Sequence, residues 1–329
     1  MEARTKELQN IANLSDNISS EFERLLTGMA PIIDIVRHAQ ALHNIQGGHI
    51  RDPELTSQGL IESRYLRDRF PYGHNVIHIL SSPLRRAVTT ALVGIVPTVD
   101  RRIKVQLLPE LQEVSASPSS TGIPKSELAT HYTGNKHRLD MSLLTEDWYH
   151  KGSNTRYAPS VSKVDARARA ARMCLWRLAR YAFEAGDDNA HIVVVTHGEF
   201  AHWLTGDFRG VTADHNTGWA NAEFRSYRFR NLIATERHDP QLIETTESVT
   251  RRGGYGVPPP LNMVTMESLR RLAEERVRAY YEMLRRQEAP ERVSSNKLPE
   301  GPNDSDKFEE INESDGSDEW VDIEDEPGL

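Results

Sequence analysis

Two histidines of this sequence each stand at the end of an apolar run, next to residues that suit anion chemistry. In the stretch "PIIDIVRHAQALHN", Arg37 and His38 close the apolar run, and Asn44 follows six positions after His38. In "AHIVVVTHGEF", His197 follows a run rich in β-branched residues. A buried strand has no use for a guanidinium group at its tip, whereas an anion-binding site does, because guanidinium forms paired hydrogen bonds with oxyanions.

Two further stretches contribute cations and carboxylates. The stretch "SSPLRRAVTTA" holds Arg85 and Arg86 in the first turn of a predicted helix, and "LLPELQEV" holds Glu110 and Glu113. From the residues alone, either glutamate could act as the acid and either arginine could bind the anion. Two or more arginines, two histidines, an asparagine and a carboxylate together indicate a site that handles a phosphoryl group.

Such a set of residues can transfer a phosphoryl group without a metal ion. The phosphoryl group carries its charge on three equatorial oxygens, and guanidinium groups bind these with charge-assisted hydrogen bonds. A neutral imidazole can attack phosphorus and form a phosphohistidine, provided that its other ring nitrogen donates to a backbone carbonyl. A second histidine can donate to the phosphoryl oxygens. A carboxylic acid can protonate the leaving alkoxide and then, as a base, activate water.

The hydrophobic pattern shows which elements must position these residues. Strands are predicted near 32–36, 76–80, 104–107, in the run before Thr196, and as an edge strand near 222–229. Helices are predicted between them, with Thr56 and Ser82 as N-caps and Gly186 just after a long helix over 161–184. This alternation predicts an α/β three-layer sandwich, in which a mostly parallel central sheet has helices on both faces. Ligands bind at the carboxyl ends of such strands, where the two histidines can meet.

The composition of the chain divides it into segments. We expect an N-terminal helical extension over 1–30, a catalytic domain over 31–238 with an excursion at 115–160, a linker over 239–263, an amphipathic helix over 264–289, and an acidic disordered tail over 290–329. The tail holds 14 acidic and three basic residues, a net charge of −11, so the first 289 residues carry about +3 of the chain's −8. The acidity therefore belongs to the tail, and we expect no nucleic-acid partner.

Several classes of protein are disfavoured by the sequence. The start "MEARTKELQN" has no apolar signal region, and no run approaches the length of a membrane helix, so we expect a cytoplasmic protein, with a nuclear location as the alternative. A single cysteine, Cys174, allows no intrachain disulfide. No pair of residues has the spacing of a zinc site, and we expect no metal.

The motifs "VRHAQALHN", "LTSQG", "SSPLRRAVTTA", "LQE" and "VVVTHGE" occur in the order found in the histidine phosphatase superfamily, also called phosphoglycerate mutase-like proteins. The resemblance covers roughly residues 31–229. It implies a phosphoglycerate mutase-like fold, a small phosphorylated substrate, and no cofactor. The expected activity is a metal-independent phosphatase that hydrolyses phosphomonoesters through a phosphohistidine.

The resemblance also assigns a role to individual residues. It implies that His38 is the nucleophile, that His197 is the second catalytic histidine, and that Glu113 rather than Glu110 is the proton donor and acceptor. Phosphate-binding roles fall on the arginine directly before alanine, Arg86 rather than Arg85, and on Arg37 and Asn44.

The sequence departs from the family pattern at a few positions. Ala39 replaces the usual glycine after the nucleophile, and Ala41 removes a serine hydroxyl that many mutase members carry. These changes leave the phosphate pocket intact but weaken a claim of mutase activity. The alternatives are a phosphoglycerate mutase-type isomerase and a non-catalytic phosphate-binding protein that recruits a protein partner through its terminal helix and acidic tail.

Overall fold

The computed structural model describes residues 30–213, 217–233, 239–253 and 263–289. Among them is a seven-stranded mixed sheet with the strand order β4-β3-β2-β5-β1-β6-β7. Neighbouring strands run parallel from β4 to β1, whereas β6 is antiparallel to both β1 and β7. The strands are β1 (Ile32–Arg37), β2 (Val76–Ser81), β3 (Val105–Leu107), β4 (Leu139–Asp140), β5 (His191–Thr196), β6 (Phe224–Phe229) and β7 (Leu242–Glu244).

Helices lie on both sides of this sheet. They are α1 (His43–Gln46), α2 (Ser57–Arg69), α3 (Arg85–Thr90), α4 (Lys125–His131), α5 (Val161–Glu184), α6 (Gly198–Thr205), α7 (Thr246–Arg251) and α8 (Met263–Glu288). A π-helical turn, Ala91–Ile95, continues α3, and the short 3-10 helices are Gly73–Asn75, Val96–Thr98, Pro109–Leu111, Pro118–Ser120 and Thr133–Arg138. None of the described helices combines the length and the apolar character needed to span a bilayer.

The alternation of side chains along the central strands builds two cores. In β5, Ile192 and Val194 join the core on the α5, α6 and α8 side, whereas Val193 and Val195 join the core on the α2 and α3 side. All four side chains are fully buried, as expected for a parallel strand that is covered on both faces. The three-layer α/β sandwich predicted from the sequence is therefore confirmed.

Local signals in the sequence place several element ends correctly. The Thr56 side chain accepts a hydrogen bond from the backbone amide of Gly59 at 3.0 Å and caps α2, as predicted. The long helix α5 has the predicted bounds, and Gly186 follows it in a left-handed conformation with φ of 82°.

Some expectations about elements are wrong. The region from 239 was expected to be a linker, yet its described part contains β7, which pairs with β6, and α7, whose Val249 is buried. Because β7 covers its outer edge, β6 is not the edge strand that its pattern indicated. The N-terminal extension over 1–29, the rest of the expected linker at 254–262 and the acidic tail from 290 lie outside the described residues.

Candidate active site

The tips of β1 and β5 place two imidazoles side by side. The two strands are parallel neighbours, with Arg37 paired to Thr196 in the register. The backbone amide of His38 donates to the carbonyl oxygen of Thr196 at 2.9 Å. The rings of His38 and His197, which follow directly after these strands, lie with their centroids 5.1 Å apart. The fold therefore brings together the two histidines that the sequence analysis singled out.

The next two strands end at the same edge of the sheet. The backbone amide of Ser82, just after β2, donates to Val195 at 2.9 Å, and that of Leu108, just after β3, donates to Ser81 at 2.9 Å. The chain after β2 leads into α3 and delivers Arg86, and the chain after β3 delivers Glu113. Four parallel strands thus supply one site at their carboxyl ends, as expected for an open α/β sheet.

His38 is buried in a positively charged environment and is held in one orientation. His38 is only 2% exposed to solvent. Its Nδ1 lies 2.7 Å from the carbonyl oxygen of Ala39. Burial first, and then the positive charges of Arg86 and Arg37, lower the pKa of His38 well below its ordinary value. The imidazole is therefore neutral at pH 7. Because Nδ1 carries the proton donated to Ala39, the lone pair is on Nε2.

Alanine occupies the position after His38 without backbone strain. Ala39 is fully buried, and its amide donates to the hydroxyl of Thr90 at 3.0 Å. Its φ angle is negative, so the left-handed conformation that favours glycine is not required here. Within the described ranges, the non-glycine residues with positive φ are Asp52 and Ala222.

The start of α2 anchors the loop that follows His38. The amide of Thr56 donates to the carbonyl oxygen of Gln40 at 3.0 Å, and the Thr56 hydroxyl donates to the Gln40 side chain at 2.7 Å. A Cβ atom on Gly59 would lie 2.0 Å from the Gln40 carbonyl oxygen, so no other residue fits at this position without moving the loop. The motif "LTSQG" therefore positions the loop that follows His38.

His197 is fully buried and contacts a serine hydroxyl. Its Nε2 lies 2.8 Å from Oγ of Ser82, and its Nδ1 has no hydrogen-bond partner among the described residues. Burial, followed by the charge of Arg86, lowers the pKa of His197 well below its ordinary value. A Cβ atom on Gly198 would lie 2.5 Å from Oγ1 of Thr217, so glycine is required directly after this histidine.

Arg86 is buried and Arg37 is half-buried, and neither cation has a carboxylate partner among the described residues. Arg86 is 1% exposed and donates from Nη1 to the carbonyl oxygen of Ser119 at 2.6 Å, and Arg37 donates to that of Trp219. The Nε atoms of both arginines lack partners in the described part of the chain. Burial lowers the pKa of Arg86 to about 10. Such a pair of guanidinium groups is built to receive an anion.

The two arginines in "PLRRA" have different surroundings. Arg85 donates from Nη1 to Oε1 of Glu54 at 2.7 Å, and its backbone amide donates to Oδ1 of Asp52 at 2.9 Å. Asp52 is fully buried, and burial raises its pKa to about 6. Arg85 is thus engaged by two carboxylates, whereas Arg86 points its charge toward the histidines.

The two candidate acids, Glu113 and Glu110, also have different hydrogen-bond and ion-pair partners. Oε1 of Glu113 accepts hydrogen bonds from the backbone amides of Val114 at 2.8 Å and Phe200 at 3.2 Å. Its negative charge raises the pKa of Arg37, against the larger effect of burial, so it lies near the cluster of arginines and histidines. Glu110 instead forms an ion pair with Arg156.

Asn44 lies at the rim of the cluster rather than within it. It is exposed on the short helix α1, and its Oδ1 accepts from the backbone amide of Ala41 at 2.9 Å. Its Nδ2 lies 3.4 Å from Nε2 of His43, and the His43 ring centroid lies 5.4 Å from that of His38. Asn44 therefore approaches His38 only through His43.

Two residues of this cluster were not singled out by the sequence. Burial, with the charges of Arg86 and Arg37, lowers the pKa of His43 to about 3, so it joins the site as a third neutral imidazole. Ser82 was interpreted as a helix cap, and its Oγ does accept a hydrogen bond from the backbone amide of Leu84 at 3.3 Å, but α3 begins only at Arg85. The same hydroxyl also faces His197. The only sequence signal for His43 is its place directly before Asn44.

Metal ligation and a separate cavity are two other candidate functional features of the molecule. Despite the three neighbouring imidazoles, no group of three His, Cys, Asp or Glu side chains in the described ranges is arranged to hold a metal ion. A cavity of about 880 Å³ lies elsewhere, between the ends of α6 and β7 and the start of α8, and its walls include Trp203, Asp239 and Arg270. Its lining includes none of the histidines and arginines of the cluster described above.

The fold and the cluster of histidines and arginines at the carboxyl edge of the sheet define a phosphoryl-handling α/β protein. The family model of the histidine phosphatase superfamily (branch 1) matches residues 33–232, more than half of the 329-residue chain. The chain belongs to this superfamily, as the motifs predicted. No match was found among curated protein sequences.

Several solved structures are similar to this chain. An ecdysone phosphate phosphatase from Bombyx mori, in complex with tungstate, is 13% identical, with a TM-score of 0.44 over 63% of this chain and 93% of that one. A putative alpha-ribazole-5'-P phosphatase from Escherichia coli is 19% identical, with a TM-score of 0.40 over 66% and 98%. A mycobacterial glucosyl-3-phosphoglycerate phosphatase is 16% identical, with a TM-score of 0.39 over 65% and 96%. With TM-scores below 0.5, these likenesses carry no argument about function.

Proposed function

We propose that the protein is a metal-independent phosphatase that hydrolyses phosphomonoesters through a phosphohistidine on His38. The observation that carries this proposal is the orientation of a buried, neutral imidazole beside two unpaired guanidinium groups. Nδ1 of His38 is bound to the Ala39 carbonyl, so the nucleophilic lone pair is on Nε2. Arg37 and Arg86 have donors to spare for the oxygens of a phosphate ester.

In the first step, Nε2 of His38 attacks phosphorus, and the bond between phosphorus and the ester oxygen breaks. Arg37 and Arg86 bind the equatorial oxygens throughout, and Asn44 is the proposed contact at the rim. His197 donates to an oxygen on which charge increases. The leaving alkoxide takes a proton from the carboxylic acid of Glu113.

In the second step, the same groups return to their starting state. The carboxylate of Glu113 takes a proton from water, and the resulting hydroxide attacks phosphorus. The bond between phosphorus and Nε2 of His38 breaks, orthophosphate leaves, and Glu113 is again protonated. The positive charge that this step needs comes from Arg37 and Arg86.

A phosphate-release screen tests the proposal. We expect the purified chain to release phosphate from p-nitrophenyl phosphate or from a member of a panel of sugar, nucleotide and amino-acid phosphates. Trapping with a labelled substrate, followed by alkaline work-up that preserves phosphohistidine, should place the label on the peptide that contains His38. His38→Ala is the control. A chain that releases no phosphate from any ester at acid or neutral pH would refute the proposal.

The same assay separates hydrolysis from phosphoryl isomerisation. A mutase returns the phosphoryl group to its substrate and releases little phosphate, so conversion of 3-phosphoglycerate can be compared directly with phosphate release. We expect release to dominate. A non-catalytic phosphate-binding protein would bind phosphate with no turnover, and His38→Ala would then change only binding.

A further inference from the structure

The terminal helix α8 packs against the catalytic domain. Ala273 and Val277 are buried in the same core as α5 and α6. Arg270 of α8 forms an ion pair of 2.6 Å with Asp165 of α5. The helix is thus packed on the catalytic domain, and side chains on its inward face can contact residues near the site.

Two polar side chains on the inward face of α8 reach a buried glutamate beside the active site. Glu199 lies two residues after His197, in the first turn of α6, and is 9% exposed. Its Oε2 accepts a hydrogen bond from the Tyr280 hydroxyl at 3.2 Å. Arg276, one turn earlier on α8, is also buried, and its positive charge lowers the pKa of Glu199.

Glu199 is also next to the candidate acid Glu113. The backbone amide of Phe200, the residue after Glu199, donates to Oε1 of Glu113 at 3.2 Å. Burial first, and then the negative charge of Glu113, raise the pKa of Glu199 to about 8. Oε1 of Glu199 is buried and has no partner among the described residues. The carboxyl group is therefore uncharged at pH 7, and it titrates within an accessible range of pH.

We propose that Glu199 is a positioning residue for the phosphoryl pocket, and that its carboxyl group, which accepts a hydrogen bond from Tyr280 of α8 and directly precedes the amide that binds Glu113, must be uncharged for the pocket to accept a phosphate ester. This inference rests on the proposed function, because it assigns a condition to the same site. An ionised Glu199 places a negative charge in the turn that also holds Glu113, and that charge repels the dianionic ester. The terminal helix thus sets the pH range in which the pocket binds its substrate.

The four groups that face Glu199 come from three parts of the chain. They are Glu113 after β3, Lys151 before α5, and Arg276 and Tyr280 on α8. Lys151 donates from Nζ to the carbonyl oxygens of Glu113 at 2.6 Å and Ser115 at 2.8 Å, and burial lowers its pKa well below its ordinary value. Since Lys151 can titrate as well, only substitution of Glu199 itself isolates the contribution of this carboxyl group.

Tungstate binding tests the inference without relying on turnover. Tungstate is a monomeric dianion in alkaline solution, so its own charge does not change over the pH range in which Glu199 titrates. We expect wild-type affinity, measured by isothermal titration calorimetry, to fall about tenfold per pH unit above pH about 8, as one ionisation requires. We call this fall in affinity above pH about 8 the alkaline limb. Glu199→Gln should keep the affinity at neutral pH within about threefold of the wild type and should show no alkaline limb.

Tyr280→Phe removes the hydrogen bond that favours the ionised carboxylate. This raises the pKa of Glu199 and should move the alkaline limb to higher pH. Tyr281→Phe is the matched control, because it makes the same change at the next position of α8, and its profile should superimpose on the wild type. An alkaline limb that is unchanged in Glu199→Gln, or unmoved in Tyr280→Phe, would overturn the inference.

Turnover distinguishes this result from a failure of the proposed function. If wild-type protein binds tungstate with the Glu199-dependent limb but releases no phosphate from any ester, the inference about Glu199 stands and the phosphatase proposal fails. If phosphate is released and the alkaline limb does not depend on Glu199, the phosphatase proposal stands and the inference about Glu199 fails. Absence of tungstate binding at every pH would overturn the inference.

Discussion

The backbone amide of His38 donates a hydrogen bond to the carbonyl oxygen of Thr196, which fixes the tips of two parallel strands side by side. The rings of His38 and His197 consequently lie with their centroids 5.1 Å apart, although most of the domain separates them in sequence. The backbones at these two positions cannot separate without breaking the register of the central sheet. The site is thus preorganised by the strands and not by a flexible loop.

Replacement of His38 tests the role of the nucleophile. We expect His38→Ala to lower kcat for phosphate release by at least about 1000-fold, because removal of a nucleophile leaves only binding and electrostatic contributions. His74→Ala is the control, since His74 is exposed and lies outside the site. Steady-state kinetics with thermal unfolding of both variants checks this. A His38→Ala variant that is folded and retains a tenth of the activity would contradict the assignment.

The contrast between Arg86 and Arg85 allows a matched comparison. Arg86→Lys keeps the charge but loses the planar guanidinium that binds Ser119 and a phosphoryl oxygen together. We expect kcat/KM to fall about 100-fold, the effect of losing one well-placed donor. Arg85→Lys keeps an ion pair with Glu54 and should change kcat/KM by less than about threefold. Equal losses in the two variants would show that the phosphate site is assigned to the wrong arginine.

Glu113 can be tested by the leaving group of the substrate. In Glu113→Gln, an alkyl phosphate has no acid to protonate its alkoxide, so its hydrolysis should slow by about 100- to 10,000-fold. The p-nitrophenolate leaving group needs no proton, so rapid-quench experiments with p-nitrophenyl phosphate should show a burst of about one equivalent, followed by slow turnover. Glu110→Gln removes the partner of Arg156 and should leave both reactions unchanged. A burst with the alkyl phosphate as well would exclude Glu113 as the acid.

Features set by short-range patterns were predictable from the sequence. Each of these features depends on residues that are near one another in the sequence. They are the ends of the strands, the Thr56 cap and the two ends of α5. The convergence of His38 and His197 followed from a general rule about parallel strands.

Features set by distant partners were not predictable in the same way. Ser82 was expected to cap a helix, but its hydroxyl faces His197, which is more than 100 residues away. The three-residue strand β7 is too short for a periodic signal, and only its pairing with β6 makes it a strand. The contact between Tyr280 and Glu199 likewise depends on where α8 packs. Sequence periodicity indicates which face of a helix is apolar, but not which surface that face covers.

The buried histidines predict how stability depends on pH. The pKa of His43 in the folded chain is lowered from 6.5 to about 3, and those of His38 and His197 are also lowered well below their ordinary values. As pH falls below 6.5, the unfolded chain takes up protons that the folded chain does not. These residues therefore destabilise the fold progressively between pH about 6.5 and about 3, and leave it unaffected above that window.

Thermal unfolding at a series of pH values checks this expectation. His43→Gln removes one of the three titrating groups from the unfolded chain, so its Tm should fall less steeply with decreasing pH than that of the wild type. His74→Gln, at an exposed position, should leave the slope unchanged. Because the proposed site binds phosphate only in the folded state, we expect phosphate to raise Tm in both proteins. A His43→Gln profile parallel to that of the wild type would show that His43 titrates normally in the folded chain and is not part of the buried cluster.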